Sequence, residues 1–517
     1  LFPYTTLFRS GRSLPFYGNS TQNRDYVSQS NTSSTSIYYQ WENFANYMQT
    51  FADKHTVSAM IGISFQDSDY DYVTGSLSDN GEDALLKNDP LFYYLNYANA
   101  SAVKGVSGET TNTTKYSYFG RVGYDFMGRY LFQASLRADA ADLSKLSKKT
   151  RWGYFPAVSV GWTISEEKFF NPIKKWFDSL KFRASWGQNG SLSSLSGYPY
   201  STDMTQGGLY PFTSGIQYTQ GVAPTSLGND ELKWETSEQL NFGFDGILLG
   251  GRLTFGIDYF IKKTKDLLVS GTTPSLIIGG TTSPINAGNV ENKGFELELG
   301  WRDHIGDFNY SVRGNLSTLS NEVTFLDPSL VRLGGTGFHT YTITYFEKGY
   351  PVYYFRGYQF DKINPETGDP MFKDLNGDGE VNDDDRTDIG NAIPKVTYGL
   401  TITAAYKGFD LTIFGTGAAG NKIFNCINRP DYATSNKMKE VLYDNRWTES
   451  NKSGTKPRAG ANNMDKYADS DAMVYSGNYF KFKQIQLGYT LPKSLLSKVG
   501  ITHCRVYGSL DDFFTIS

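Results

Sequence analysis

The sequence predicts an all-β protein, an antiparallel β-barrel that crosses a membrane. Apolar and polar residues alternate with period 2 along most of the chain, aromatic residues are abundant, and short connections alternate with long ones. Tyr, Phe and Trp number 37, 35 and 8 and make up 15% of the 517 residues, alongside 53 Gly. Mean hydropathy is nonetheless -0.43, and no run reaches the ~18 apolar residues of a membrane helix. Many aromatics in a chain that is polar on average fit strands with one wet and one greasy face, ringed by aromatic girdles at both interfaces.

The alternation is clearest at 116–138. Tyr116, Tyr118, Gly120, Val122, Tyr124 and Phe126 share one face, and Ser117, Arg121, Gly123 and Asp125 share the other, with Phe119 as the exception. After the turn Met127-Gly128, Tyr130, Phe132, Ala134, Leu136 and Ala138 alternate with Leu131, Gln133, Ser135 and Arg137. Charges in mid-strand, all on one face, need water on that face. Further along, Leu180, Phe182, Ala184 and Trp186 oppose Lys181, Arg183 and Ser185. Phe255, Ile257 and Tyr259 oppose Thr254 and Asp258, and Phe295, Leu297, Leu299 and Trp301 oppose Glu296, Glu298 and Arg302. Tyr310, Val312 and Leu316 oppose Ser311, Arg313 and Asn315, and Tyr398, Leu400 and Ile402 oppose Thr397, Thr401 and Thr403. About fourteen strands of this kind are visible by their alternation.

Tight turns fall near 52–53, 127–128, 247–251, 303–307 and 407–408, with longer short-side connections near 165–178 and 491–500. Long polar loops are expected near 69–113, 188–234, 262–293, 320–394 and 418–476. Short turns at one end and long loops at the other are the asymmetry of an outer-membrane barrel. A soluble domain carrying such loops is unusual. A propeller would show a repeat of about 40–50 residues, which is absent. A soluble sandwich would favour Leu, Val and Ile over Tyr and Phe at its core.

Composition excludes other classes. Basic and acidic residues nearly balance, 49 against 53, so no nucleic-acid partner is indicated. Cys426 and Cys504 fit no metal spacing.

Several stretches resemble one family. They are "RWGYFPAVSVGWTISEEKFF" (151–170), "LKFRASWGQNGS" (180–191), "LKWETSEQLNFGFD" (232–245), "RLTFGIDYFIKKTKDLLV" (252–269), "NAGNVENKGFELELGW" (286–301), "DLNGDGEVNDDDRTDIGNAIPKVTYGL" (374–400) and "YFKFKQIQLGYTLPKSLL" (479–496). Together they resemble the SusC/RagA family of TonB-dependent transporters from the Bacteroidota outer membrane. The resemblance implies a barrel of about 22 strands with a plug inside it. It further implies a TonB-contacting N-terminal segment, a SusD-like surface lipoprotein that lids the barrel, and an oligosaccharide or peptide cargo imported actively. The chain is therefore expected to be a bacterial outer-membrane, multi-pass importer with no enzymatic centre. Against the family pattern, the chain is expected to lack the plug, the TonB box and the closing strand. Residues 11–517 are accordingly read as a partial barrel, about 14 of 22 strands, with long extracellular loops and two open edges.

Leu1–Ser10, "LFPYTTLFRS", is read separately. Its codons can be written CTC TTT CCC TAC ACG ACG CTC TTC CGA TCT, a string like a short-read sequencing adapter. The segment is expected to be an artefact, and any structure there to be disordered or arbitrarily placed.

The sharpest chemical motif is "DLNGDGEVNDDD". Asp374, Asn376 and Asp378 occupy loop positions 1, 3 and 5, Gly379 position 6, Glu380 position 7 through its carbonyl, Asn382 position 9 and Asp385 position 12. This is EF-hand-like spacing for Ca²⁺, and a bound ion would stiffen the loop. Asp385 in place of Glu shortens the last ligand, and no flanking helices are evident. "GTGAAG" (415–420) matches a dinucleotide fingerprint but lacks the following helix, so its glycines are read as a strand end. Glu296 and Glu298 are read as water-facing wall residues and not a catalytic pair. The four His are scattered. The aromatic loops 198–212 and 339–360 are expected to pack their own rings, and no ligand residues are assigned there. Two rivals stand beside the importer: a TonB-dependent siderophore or vitamin receptor, and a non-transporting surface binding protein on the same barrel.

Overall fold

A computed structural model describes the chain apart from residues 1–4, 14–15, 18–22, 25–27, 79–94, 96–102, 196, 212–217, 270–280, 339–340, 427–439 and 498–499. One 16-stranded antiparallel sheet dominates it. Its strands are β1 Thr5–Ser13, β2 Ser28–Phe51, β3 His55–Ser78, β4 Val103–Phe126, β5 Tyr130–Ala140, β6 Trp152–Thr163, β7 Phe177–Ser191 and β8 Glu235–Leu248. They continue as β9 Leu253–Val269, β10 Ile285–Ile305, β11 Phe308–Thr318, β12 Ser320–Leu326, β13 Val396–Tyr406, β14 Phe409–Ala419, β15 Tyr479–Thr490 and β16 Arg505–Ile516. Each strand pairs with its neighbour in sequence, except that β12 pairs β10 and β11 continues to β13. Among the described residues β1 and β16 each have one strand neighbour.

The tight turns follow from local chemistry. Ala52-Asp53, Met127-Gly128 and Lys407-Gly408 all have φ between 45° and 92°. Two consecutive left-handed residues make the turn whose twist matches that of the flanking strands. The backbone closes them: Lys54 N–H donates to Phe51 O at 3.1 Å and Arg129 N–H to Phe126 O at 3.0 Å.

Strands are longer, and several loops shorter, than the sequence reading gives. β2, β3 and β4 each run 24 residues, which at the usual rise is about 80 Å. An apolar band about 25 Å tall covers only part of that length. The remainder is polar ribbon in water, as in "SQSNTSSTS" of β2, where backbone pairing continues although the apolar alternation has stopped. The connection after β3 is therefore 79–102, not 69–113, and that after β9 is 270–284, not 262–293.

Thr5–Ser13 pairs with Ser28–Ser36 along its whole length. A ladder uses only backbone groups, so it does not depend on what encodes the segment.

Buried apolar clusters lie in the long connections and where these meet the strand ends. Leu146, Leu195 and Leu232 form one, and Val290, Val323, Leu326 and Phe346 another. Phe338, Ile343 and Phe355 form a third. Among the described residues the rest of the sheet has no such cluster, because its two faces meet two different solvents.

Candidate functional site

The register places the alternating residues on consistent faces. Phe242 stands opposite Tyr259, Tyr259 opposite Phe295, Leu316 opposite Tyr398 and Gly417 opposite Tyr398. On that face large apolar groups are exposed: Phe244 is 42% accessible, Phe295 57% and Leu299 47%. A continuous exposed apolar face of this extent needs a non-aqueous partner. It ends in polar caps. At the long-loop rim Trp186 donates Nε1–H to Glu238 at 3.0 Å, and Lys265 Nζ reaches the same carboxylate at 2.6 Å. At the short-turn rim Phe409 lies 4.5 Å from Tyr489. Aromatic rings and amphipathic caps at both edges mark the two membrane interfaces.

The opposite face is wet and charged. Arg183 forks onto Asp245, with Nε at 2.7 Å and Nη2 at 3.0 Å, and reaches Asp258 at 2.8 Å. These three groups come from β7, β8 and β9. Arg505 pairs Asp410, and Ser311 shares a 2.7 Å hydrogen bond with Thr403. A concavity of about 550 Å³ opens on this wall, and Ser58, Asp125, Gln133, Ser159, Arg183 and Asn241 line it, one from each of six successive strands. Glu296 and Glu298 share this wet face, and Glu296 accepts a hydrogen bond from Ser317 at 3.4 Å. Phe119, the exception to the alternation, lies flat over Gly62, whose missing Cβ would stand 2.4 Å from the ring. The Arg137 guanidinium lies over the same ring at 5.5 Å from its centre.

A wall lipid-facing on one side and hydrogen-bonding on the other suits passage of polar solutes. The family profile described as "TonB dependent receptor-like, beta-barrel" matches residues 2–502. The chain belongs to that family. This receptor barrel is 30% identical over 500 residues to TonB-dependent receptor P3 of Formosa agariphila, covering 92% of this chain and 48% of that protein. It is 30% identical over 433 residues to the TonB-dependent receptor SusC of Bacteroides thetaiotaomicron, covering 79% and 41%. The structure of the RagAB peptide transporter superposes with a TM-score of 0.82 at 21% identity, over 99% of this chain and 55% of that one. The receptor chain spans about half the length of the curated relatives it matches. It is an outer-membrane barrel of a family of receptors and transporters.

The long loops of the receptor clasp one another above the wall. Arg386, in the loop before β13, pairs with Asp469, in the loop before β15, at 2.6 Å with both side chains buried. Tyr358 N–H donates to Asp469 O at 2.9 Å, and Asp471 N–H returns to Tyr358 O at 3.1 Å. Burial pushes the Asp469 carboxyl up to about 7, against the pull of Arg386. Nothing in the sequence pointed to this joint.

The Ca²⁺-spaced loop lies in the same region. Asp374 accepts from Gly377 N–H at 2.6 Å and Gly379 N–H at 2.8 Å. Asp378 accepts from Glu380 N–H, and Asn382 from Asp384 N–H. Asn376 donates to Asp378 at 3.0 Å. Asp385 is buried and closes the loop on the N–H groups of Leu375 at 2.7 Å and Asn382 at 2.8 Å. The Asn382 bond leads in holding its carboxyl low, and Leu375 and Asn376 assist. Among the described residues no group of three or more His, Cys, Asp or Glu side chains is arranged around a common cation position.

Within 339–360, the described rings pack on one another: Tyr350 stacks on Tyr354 at 4.4 Å, and Tyr354 hydroxyl donates to Glu347 at 2.6 Å. "GTGAAG" ends β14, and Gly415 and Gly417 lie beneath the rings of Phe480 and Tyr398. His339 and most of 198–212 by side chain fall outside the described residues.

Proposed function

We propose that this chain is the wall and outer loops of a SusC/RagA-type importer that takes up oligosaccharides or peptides with a SusD-like lipoprotein and TonB. The two-sided wall carries the reading. Its exposed apolar face requires lipid, and its other face offers charged and hydroxyl groups to a solute in water. The resemblance to the SusC/RagA family is what points to an oligosaccharide or a peptide as cargo. Among the described residues the wet face holds ion pairs and hydroxyl pairs, such as Arg183 with Asp245 and Ser311 with Thr403, which suit contact with a polar solute.

Deleting the intact gene is expected to abolish growth on one oligomeric carbon or nitrogen source while leaving growth on its monomer unchanged. The intact protein is expected to copurify with a surface lipoprotein. Uptake that survives collapse of the proton gradient would contradict the proposal.

A further inference from the structure

The connection between β6 and β7, residues 164–176, is a long one at the short-turn end. It consists of two 3₁₀ segments, Ile164–Glu166 and Lys168–Ile173. Phe170 pins it to the barrel: it is 2% exposed and meets Phe177 edge-on at 5.9 Å. The other large apolar groups point away, with Phe169 65%, Ile173 44% and Trp176 55% exposed. They continue the lipid-facing surface, because Phe169 stands edge-on to Trp162 at 6.3 Å and Trp162 pairs with Tyr130 on the apolar face.

Lysines intersperse these groups. Lys168, Lys174 and Lys175 are exposed, and none has an ion-pair or hydrogen-bond partner among the described residues. Lys175 Nζ sits 5.8 Å from the Trp176 ring. The nearby acids are largely occupied: Glu167 takes Arg129 at 3.4 Å and Trp162 Nε1–H at 3.2 Å, and Asp178 accepts Gly251 N–H at 2.9 Å. Glu166 is left exposed. The free charge of the segment is therefore cationic.

Trp and Phe seat at the boundary between headgroups and acyl chains, and lysines beside them reach phosphates. We propose that residues 164–176 are an anchor for anionic phospholipid, phosphatidylglycerol in type, in the leaflet at the short-turn end. Phe169, Ile173 and Trp176 enter the acyl boundary, and Lys168, Lys174 and Lys175 bind the phosphodiesters. The anchor follows from the lipid-facing surface and holds whatever the cargo is.

The test uses the full-length protein in neutral detergent, offered equal phosphatidylglycerol and phosphatidylethanolamine, with retained lipid counted by native mass spectrometry. Phosphatidylglycerol is expected to be retained preferentially, and the preference to fall about fivefold for each lysine changed to Gln. A triple Lys→Arg variant is expected to keep it, as is Lys181→Gln on the wet face. Heat-modifiable gel migration identifies folded variants. Equal retention of both lipids, or an undiminished preference in K168Q/K174Q/K175Q, overturns the anchor.

Discussion

Tyr398 and Phe480 stack at 6.0 Å with their planes 2° apart, one from β13 and one from β15. The strand between them is β14, and the rings meet over it because Gly417 and Gly415 have no side chains there. A Cβ on Gly417 would lie 2.5 Å from the Tyr398 ring. The glycine pair thus couples three strands through one aromatic lid, which adds about 0.5–1.5 kcal/mol beyond area burial.

Gly417→Val is expected to displace both rings and cost about 1–3 kcal/mol, as overpacking does. Thr416→Val, on the wet face, is expected to cost little. Denaturant midpoints of the full-length protein check the pair, and equal shifts would mean that the lid does not hold the strands.

Ile402 and Thr403 are adjacent near the centre of β13 and belong to opposite faces. Ile402→Arg puts a charge in lipid and is expected to cost about 2–4 kcal/mol, with poor assembly on heat-modifiable gels. Thr403→Arg faces water and is expected to assemble normally. Equal behaviour would contradict the facial assignment.

The division between faces was legible in the sequence because a barrel wall leaves almost every strand side chain to one of two solvents. Arg183 and Asp258 could both be read as water-facing, but their pairing needed the order β7-β8-β9, and Asp245 drew no notice. Phe119 violated the alternation and became intelligible only once Gly62 was seen beneath it. The loops resisted reading for another reason. Arg386 and Asp469 meet across long connections whose packing has no short-range period, so neither residue announced its partner. The strand ends were misplaced because polar β-ribbon in water carries no apolar signal.

Above pH 7, where Asp469 is ionised, Arg386→Met leaves its carboxylate buried without a cation and is expected to cost the loop joint about 3–5 kcal/mol. Proteolytic nicking between 358 and 473 reports it. The joint also responds to pH. Asp469 holds its proton up to about 7 in the fold, against 3.8 when free, so between those values the folded joint binds more protons. Its stabilising effect is full below about pH 4 and is lost as pH rises through 7. Nicking is expected to increase from pH 5 to 8 in the native protein and to lose that dependence in Asp469→Asn. Unchanged pH dependence in Asp469→Asn would assign it elsewhere.

Ca²⁺ in the 374–385 loop is proposed from the spacing of Asp374, Asn376, Asp378, Glu380, Asn382 and Asp385. Calorimetry on the full-length protein is expected to show heat on Ca²⁺ addition that Asp374→Ala and Asp378→Ala remove. Equal heats in native and variant proteins would leave the loop as one closed by its own backbone contacts.

The two-faced wall is tested most directly by scanning single cysteines along Phe308–Thr318 and Val396–Tyr406 in the full-length protein, with Cys426 and Cys504 replaced. Labelling by a membrane-impermeant maleimide in intact outer membranes is predicted to alternate with period 2, strong at Ser311, Arg313, Thr401 and Thr403 and weak at Val312, Leu316, Leu400 and Ile402. Labelling that is uniform along the strands, or strong at the apolar positions, would contradict a wall with lipid on one side and water on the other.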